Sequence, residues 1–143
     1  MPRILLAVDG SECALRATRK LIETVALYRD APNIDLVTVH LPVPRVPNMG
    51  LFVSEEMIQR YYEDECTENL RTSRALLDGA GIGYSVHSLV GQIAESIATH
   101  ASRSNSDFIY MGTHGRGAIS GALLGSVVMS VLHNSRCPVV VVP

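Results

Sequence analysis

The 143-residue sequence is poor in several things, and each shortage excludes a class of function. Lysine occurs once, as Lys20, among 12 basic residues, and the pattern GxxxxGK[ST] is absent, so no lysine-bearing P-loop is encoded. There is no tryptophan and only 5% aromatic residues, which leaves single-strand nucleic-acid binding without stacking platforms. The 12 basic and 14 acidic side chains give a net charge of −2. That lacks the basic excess of a protein that neutralises a phosphate backbone. No apolar run approaches the ~20 residues of a membrane span. Met1-Pro2-Arg3 leads into an apolar stretch, Ile4 to Val8, that is too short for a secretory signal. A cytoplasmic protein bound to neither membrane nor nucleic acid is expected.

The three cysteines, Cys13, Cys66 and Cys137, are odd in number and form no CxxC pair, as in a chain with reduced thiols. Cys66 is the one candidate for an exposed reactive thiol. The five histidines (His40, His87, His100, His114, His133) lie in different segments without i, i+4 pairs. No metal site is expected from them, and only His114 stands where it could meet a ligand. A GxSxG elbow is also missing, which removes that route to a nucleophilic serine.

What is present is regular. Five short apolar runs cover residues 3–8, 34–41, 84–89, 107–111 and 138–142. They are Val- and Ile-rich and bounded by Gly, Pro, Asp or Asn, as buried strands are. Amphipathic stretches at 11–28, 54–78, 92–103 and 120–134 separate them, the first opened by Ser11 as N-cap. On the second, Met57, Ile58, Tyr61, Tyr62, Leu70, Leu76 and Leu77 are the expected packing side. On the fourth it is Leu123, Leu124, Val127, Val128, Val131 and Leu132. The order β-α-β-α-β-α-β-α-β predicts an α/β fold, a single domain over 1–143 built on an open parallel five-stranded sheet. Pro42 to Gly50, with three prolines, is an exposed loop, and the six acids between Glu55 and Glu68 are a solvated helix face.

Five of the eleven glycines fall within fourteen residues: Gly112, Gly115, Gly117, Gly121 and Gly125. In open α/β sheets ligands bind beyond the carboxyl ends of the strands. Two such ends carry unusual chemistry here, Asp9-Gly10-Ser11 and Gly112-Thr113-His114-Gly115-Arg116-Gly117. Glycine lets backbone approach a ligand closely, and successive N–H groups form an anion site. Gly125-Ser126 is a second anion site if the regular helix begins there. The joint spacing G-x2-G-x9-G-S arises by chance in under about one in a hundred chains of this length.

These segments resemble the universal stress protein family, specifically its ATP-binding branch. The matching stretches are ILLAVDGSE at 4–12, LVTVHL at 36–41, DFIYMGTHGRG at 107–117, LLGSV at 123–127 and NSRCPVVVV at 134–142. The resemblance implies a sheet in the order 3-2-1-4-5 with helices on both faces. It also implies an adenine nucleotide, ATP or AMP, over strands one and four, and a homodimer as the usual assembly. Carried over by residue, Ala7 and Leu41 frame the adenine. Asp9 lies near ribose and phosphates and helps hold Mg or Mn. Gly112, His114, Gly115, Arg116 and Gly117 fall on the phosphate loop, with Gly125, Ser126 and Val127 as the second phosphate contact. The edge strand Pro138 to Val142 is expected to pair with its symmetry mate.

No catalytic residues are assigned, because Asp9 and His114 are the only obvious candidates beside the glycine loop. Binding linked to stress signalling is therefore the expected function. A slow ATPase or autophosphorylating enzyme, with Ser120 or Ser126 as acceptor, is one alternative. A dimeric interaction module that needs no nucleotide is the other.

Overall fold

The computed structural model describes residues 1–115 and 123–143. Strands and helices alternate as β1 (Arg3–Ala7), α1 (Glu12–Val25), β2 (Asn33–His40), α2 (Glu55–Gly79), β3 (Ser85–Val90), α3 (Ile93–Arg103), β4 (Phe108–Gly112), α4 (Ser126–Asn134) and β5 (Val139–Val142). All strand pairs are parallel, in the order β3-β2-β1-β4-β5. The expected topology is the observed one.

The near-continuous apolar sequence of β1 follows from its central place, with both faces covered. Ile4, Leu5 and Leu6 have no exposed surface. Ile4, Leu6 and Val8 join Ala14, Ala17 and Leu21 of α1 and Leu70 and Leu77 of α2 in one core. Leu5 and Ala7 join Ile97 and Ala101 of α3 and Val128 and Val131 of α4 in the other. Each fully buried Leu or Ile contributes about 2 kcal/mol. The serine hydroxyls fix where α1 and α2 begin: Ser11 Oγ accepts from Ala14 N and Ser54 Oγ from Met57 N, both at 3.2 Å. Each cap is worth about 1 kcal/mol.

The packing stripe of α2 differs from expectation in its first turns and along its middle. Met57 and Tyr61 are half exposed, while Cys66, Asn69 and Ser73 are buried. The buried line 58, 62, 66, 69–70, 73, 77 keeps helical spacing but runs through polar residue types. Ser73 Oγ meets Thr18 Oγ1 at 2.9 Å, joining α1 to α2 through a buried hydroxyl pair. Cys66 is not the exposed thiol considered above. It is 2% exposed, and burial pushes its pKa up, away from the reactive thiolate.

The fourth helix is also shorter than expected. Within the described residues, Leu123 is 93% exposed and Gly125 is extended (φ −71°, ψ 160°), so the helix begins only at Ser126. A glycine cap without a side-chain oxygen holds no hydroxyl over its free N–H groups. At the other end of this connection, the Cβ that any other residue would carry at Gly112 would lie 2.7 Å from the backbone C and O of Cys13. Gly112 is thus the point where α1 presses onto the end of β4.

Candidate functional site

The order reverses at β1, whose C-terminal end lies between those of β2 and β4, and a cavity of about 320 Å³ opens there. This is the switch-point position at which open α/β sheets take ligands, and its size falls within the range of small-molecule sites. Ala7, Val37, Val39 and Met111 give it an apolar base, and Ile93, Ile97 and Val128 form a wall from α3 and α4. Its polar groups are Asp9, His40, Glu65, Asn69 and His114.

Local sequence explains how the polar side is held. Gly10 takes φ +81°, turning the chain from β1 into α1. Ser11 N then donates to Asp9 Oδ1 at 2.9 Å. A Cβ at Gly115 would sit 2.6 Å from Asp9 Oδ2, so the loop after β4 lies directly against this carboxylate. Gly125 N donates to Thr113 O at 2.8 Å, and a Cβ at Gly125 would come within 3.3 Å of His114 Cα. The two glycine segments, nine residues apart in sequence, therefore touch and form one surface. Next to it stands the N-terminus of α4, with no side-chain cap among the described residues and no acid in its first turn.

Of the expected site residues, Ala7, Asp9, Leu41, Gly112, His114, Gly115 and Val127 line this cavity. Gly125 supports it through Thr113 and His114. Ser126 lies instead in an adjoining open groove of about 820 Å³ between α3 and α4, shared with Leu41 and Val127. That groove is larger but runs along outer helix surfaces, whereas the cavity gathers the strand ends, Asp9 and the glycine wall. Arg116 and Gly117 lie outside the described residues.

Three polar lining residues were not anticipated. His40, at the end of β2, packs edge-on to Tyr61 and Tyr62 with ring centroids 5.4 and 5.5 Å away, and its Nε2 is 3.9 Å from Glu65. Glu65, 43% exposed on the acidic face, also lines the cavity. Tyr62 OH in turn accepts from Val43 N at 2.7 Å, tethering the proline-rich loop beside the cavity. Asn69 is 8% exposed, and its Oδ1 finds no hydrogen-bond donor among the described residues. The available signal was positional: a strand-end histidine next to Leu41, and a polar residue on the apolar stripe of α2.

The histidines also depart from expectation. His87 and His100 come together, with ring centroids 4.4 Å apart, above the buried Asp35 near the start of β2. Burial first, and the neighbouring His87 ring second, hold the His100 pKa below the usual histidine value.

Comparison with known proteins gives a consistent result. The universal stress protein family model matches residues 1–143. Universal stress protein MJ0531 of Methanocaldococcus jannaschii is 31% identical over 98% of this chain and 81% of its own length. A Thermus aquaticus universal stress protein, encoded in the QAH/OAS sulfhydrylase 3′ region, is 33% identical over 97% and 96%. Among solved structures, hypothetical protein MJ0577 superposes with TM-score 0.80 at 26% identity, over 98% of this chain and 94% of that one. Two further structures share the fold. An Arabidopsis thaliana universal stress family protein with AMP bound has TM-score 0.67 at 17% identity, covering 99% and 91%. The Archaeoglobus fulgidus universal stress protein in complex with dAMP has TM-score 0.63 at 23% identity, covering 100% and 98%.

Proposed function

The chain belongs to the universal stress protein family, and on that premise we propose that its strand-end cavity binds an adenine nucleotide, ATP or AMP, with occupancy rather than turnover as the signal. The observation that carries this reading is the apolar cavity closed at one end by Asp9, Gly115 and Gly125 beside an uncapped helix N-terminus. The apolar part, with Ala7, Val39 and Leu41, suits the adenine ring. Thr113 N already donates to Val142 O, so the backbone N–H of Gly115, with those of Ser126 and Val127, is what suits phosphates. Arg116 and Gly117 belong to the same proposed phosphate loop. The AMP and dAMP carried by the two neighbours support an adenine monophosphate as the common element.

The residues fit a divalent ion as well. Asp9 presents a carboxylate at the glycine wall, and Mg²⁺ is commonly held by one or two carboxylates together with substrate phosphates. Mg²⁺ or Mn²⁺ held there would neutralise phosphate charge; the chain's part is to orient Asp9 through Ser11 N. Mass spectrometry of small molecules retained by the purified protein, followed by calorimetric titration with AMP and ATP, tests the reading. A retained adenine nucleotide or a saturable titration is expected. Absence of binding by both nucleotides overturns it.

Asn69 supplies a sharper check. A ligand N–H or O–H donor would satisfy its buried Oδ1, and such a bond is worth about 1–1.5 kcal/mol. Asn69→Leu should therefore weaken AMP binding about tenfold while leaving thermal stability equal or higher, both measurable on one preparation.

We also propose a homodimer through β5. Among the described residues this strand pairs with β4 alone, and an uncharged valine edge invites a second copy. Sedimentation velocity at micromolar concentration should report a dimer; a monomer refutes the proposal.

A further inference from the structure

We propose that Asp35, His87 and His100 form a binding site for a divalent transition-metal ion of the zinc type, separate from the nucleotide cavity. The fold builds the site from three elements. In the β2–β3 register Val37 pairs with His87, two residues after Asp35, and strand alternation puts Asp35, Val37 and His87 on the face covered by α3. His100, in the last turn of α3, closes over them. The ligating atoms of all three lie within 4.8 Å of one another.

The distances are the main argument. His87 Nε2 stands 3.5 Å from Asp35 Oδ1, and His100 Nε2 stands 3.7 Å from Asp35 Oδ2. Both are longer than a good N–H···O hydrogen bond. Zinc ligands at ~2.0–2.1 Å around a tetrahedron are ~3.3–3.4 Å apart; the two contacts here run to different carboxylate oxygens, and one oxygen with both imidazole nitrogens fits within 4.8 Å. The cluster is therefore too open to satisfy itself, and a small inward movement of the half-buried His87 would bring its atoms to the spacing of zinc ligands.

The accounting of polar groups agrees. His100 Nε2 is buried with no hydrogen-bond partner among the described residues, a condition that costs about 1–3 kcal/mol. The Asp35 side chain is 4% exposed, and its closest charged partner is Arg3 Nη1, at 3.3 Å from Oδ2. Arg3 itself is 39% exposed, so it can swing into solvent when an ion takes over the carboxylate. His87 is 35% exposed, which leaves an open side for a water as fourth ligand. Two imidazoles and one carboxylate select Zn²⁺, Co²⁺, Ni²⁺ or Cu²⁺ over Mg²⁺ or Ca²⁺.

The test uses the full chain after dialysis against a chelator, titrated calorimetrically with ZnCl₂. One ion per chain is expected, with His87→Asn and His100→Asn each weakening it at least about tenfold. His87→Asn should leave AMP titration unchanged, which keeps this result independent of the nucleotide reading. X-ray absorption of the zinc-loaded wild type should show a nitrogen and oxygen first shell with two imidazoles. That measurement stands even if His100→Asn fails to fold. A sulfur first shell (zinc taken by Cys13 or Cys137), unchanged affinity in His87→Asn, or no zinc uptake each overturns the proposal.

Discussion

Replacing Gly115 by valine is expected to abolish adenine-nucleotide binding while leaving the fold in place. The first Cβ at this position meets Asp9 Oδ2 at 2.6 Å, and the remaining methyls need more room still. What must move is the end of a flexible carboxylate, not backbone. Gly115 is itself exposed, so the cost to stability stays within about 1 kcal/mol. The cost to binding is much larger, because two things are lost together. Asp9 swings out of the orientation that Ser11 N gives it, and the loop backbone can no longer come close to a phosphate. A loss of at least about 100-fold, or about 2.7 kcal/mol, is expected. Calorimetry with AMP and ATP measures it, and thermal unfolding of the same sample checks the fold. Unchanged affinity would remove the phosphate-loop assignment.

The parts of this site that were legible in the sequence share a physical property: they are fixed by local backbone needs. Gly10 and Ser11 announce a turn and a cap because a positive φ and an N-terminal hydroxyl have few alternatives. The runs at β1 and β4 announce central strands because both faces are covered. The misses depend on what tertiary packing sets opposite a residue. Asn69 and Cys66 occupy the buried line of α2, where residue type gives no warning and only register does. Met57 and Tyr61 look like core by spacing, but Ile58 and Tyr62 take the buried line in those turns and leave them half exposed. Leu123 looks like the start of a helix until Gly125, extended and bonded to Thr113, delays the first turn. His87 and His100 lie thirteen residues apart in different elements, so only the β2–β3 register and the docking of α3 bring them over Asp35.

Gly112→Ala is expected to behave in the opposite way to Gly115→Val, although both positions belong to one glycine motif. Its Cβ would lie 2.7 Å from Cys13 C, O and Cβ. Two of those atoms are backbone, at the start of a helix whose Ala14, Ala17, Thr18 and Leu21 are buried against the sheet. The strain cannot be relieved by a rotamer, so α1 must lift from β4 as a body. Overpacking of this kind costs about 3 kcal/mol, which for a chain of this size lowers the melting temperature by roughly 10 °C. Denaturant unfolding should show a lower midpoint with an unchanged slope, the signature of a stability change without a new denatured state. An unaltered midpoint would mean that α1 is free to move away from β4, and the close approach would lose its structural meaning. The two outcomes together divide the motif by mechanism. Gly112 sets the distance between α1 and β4, and so where Asp9 meets the loop; under the proposed nucleotide reading, Gly115 uses that distance to bring backbone up to the ligand.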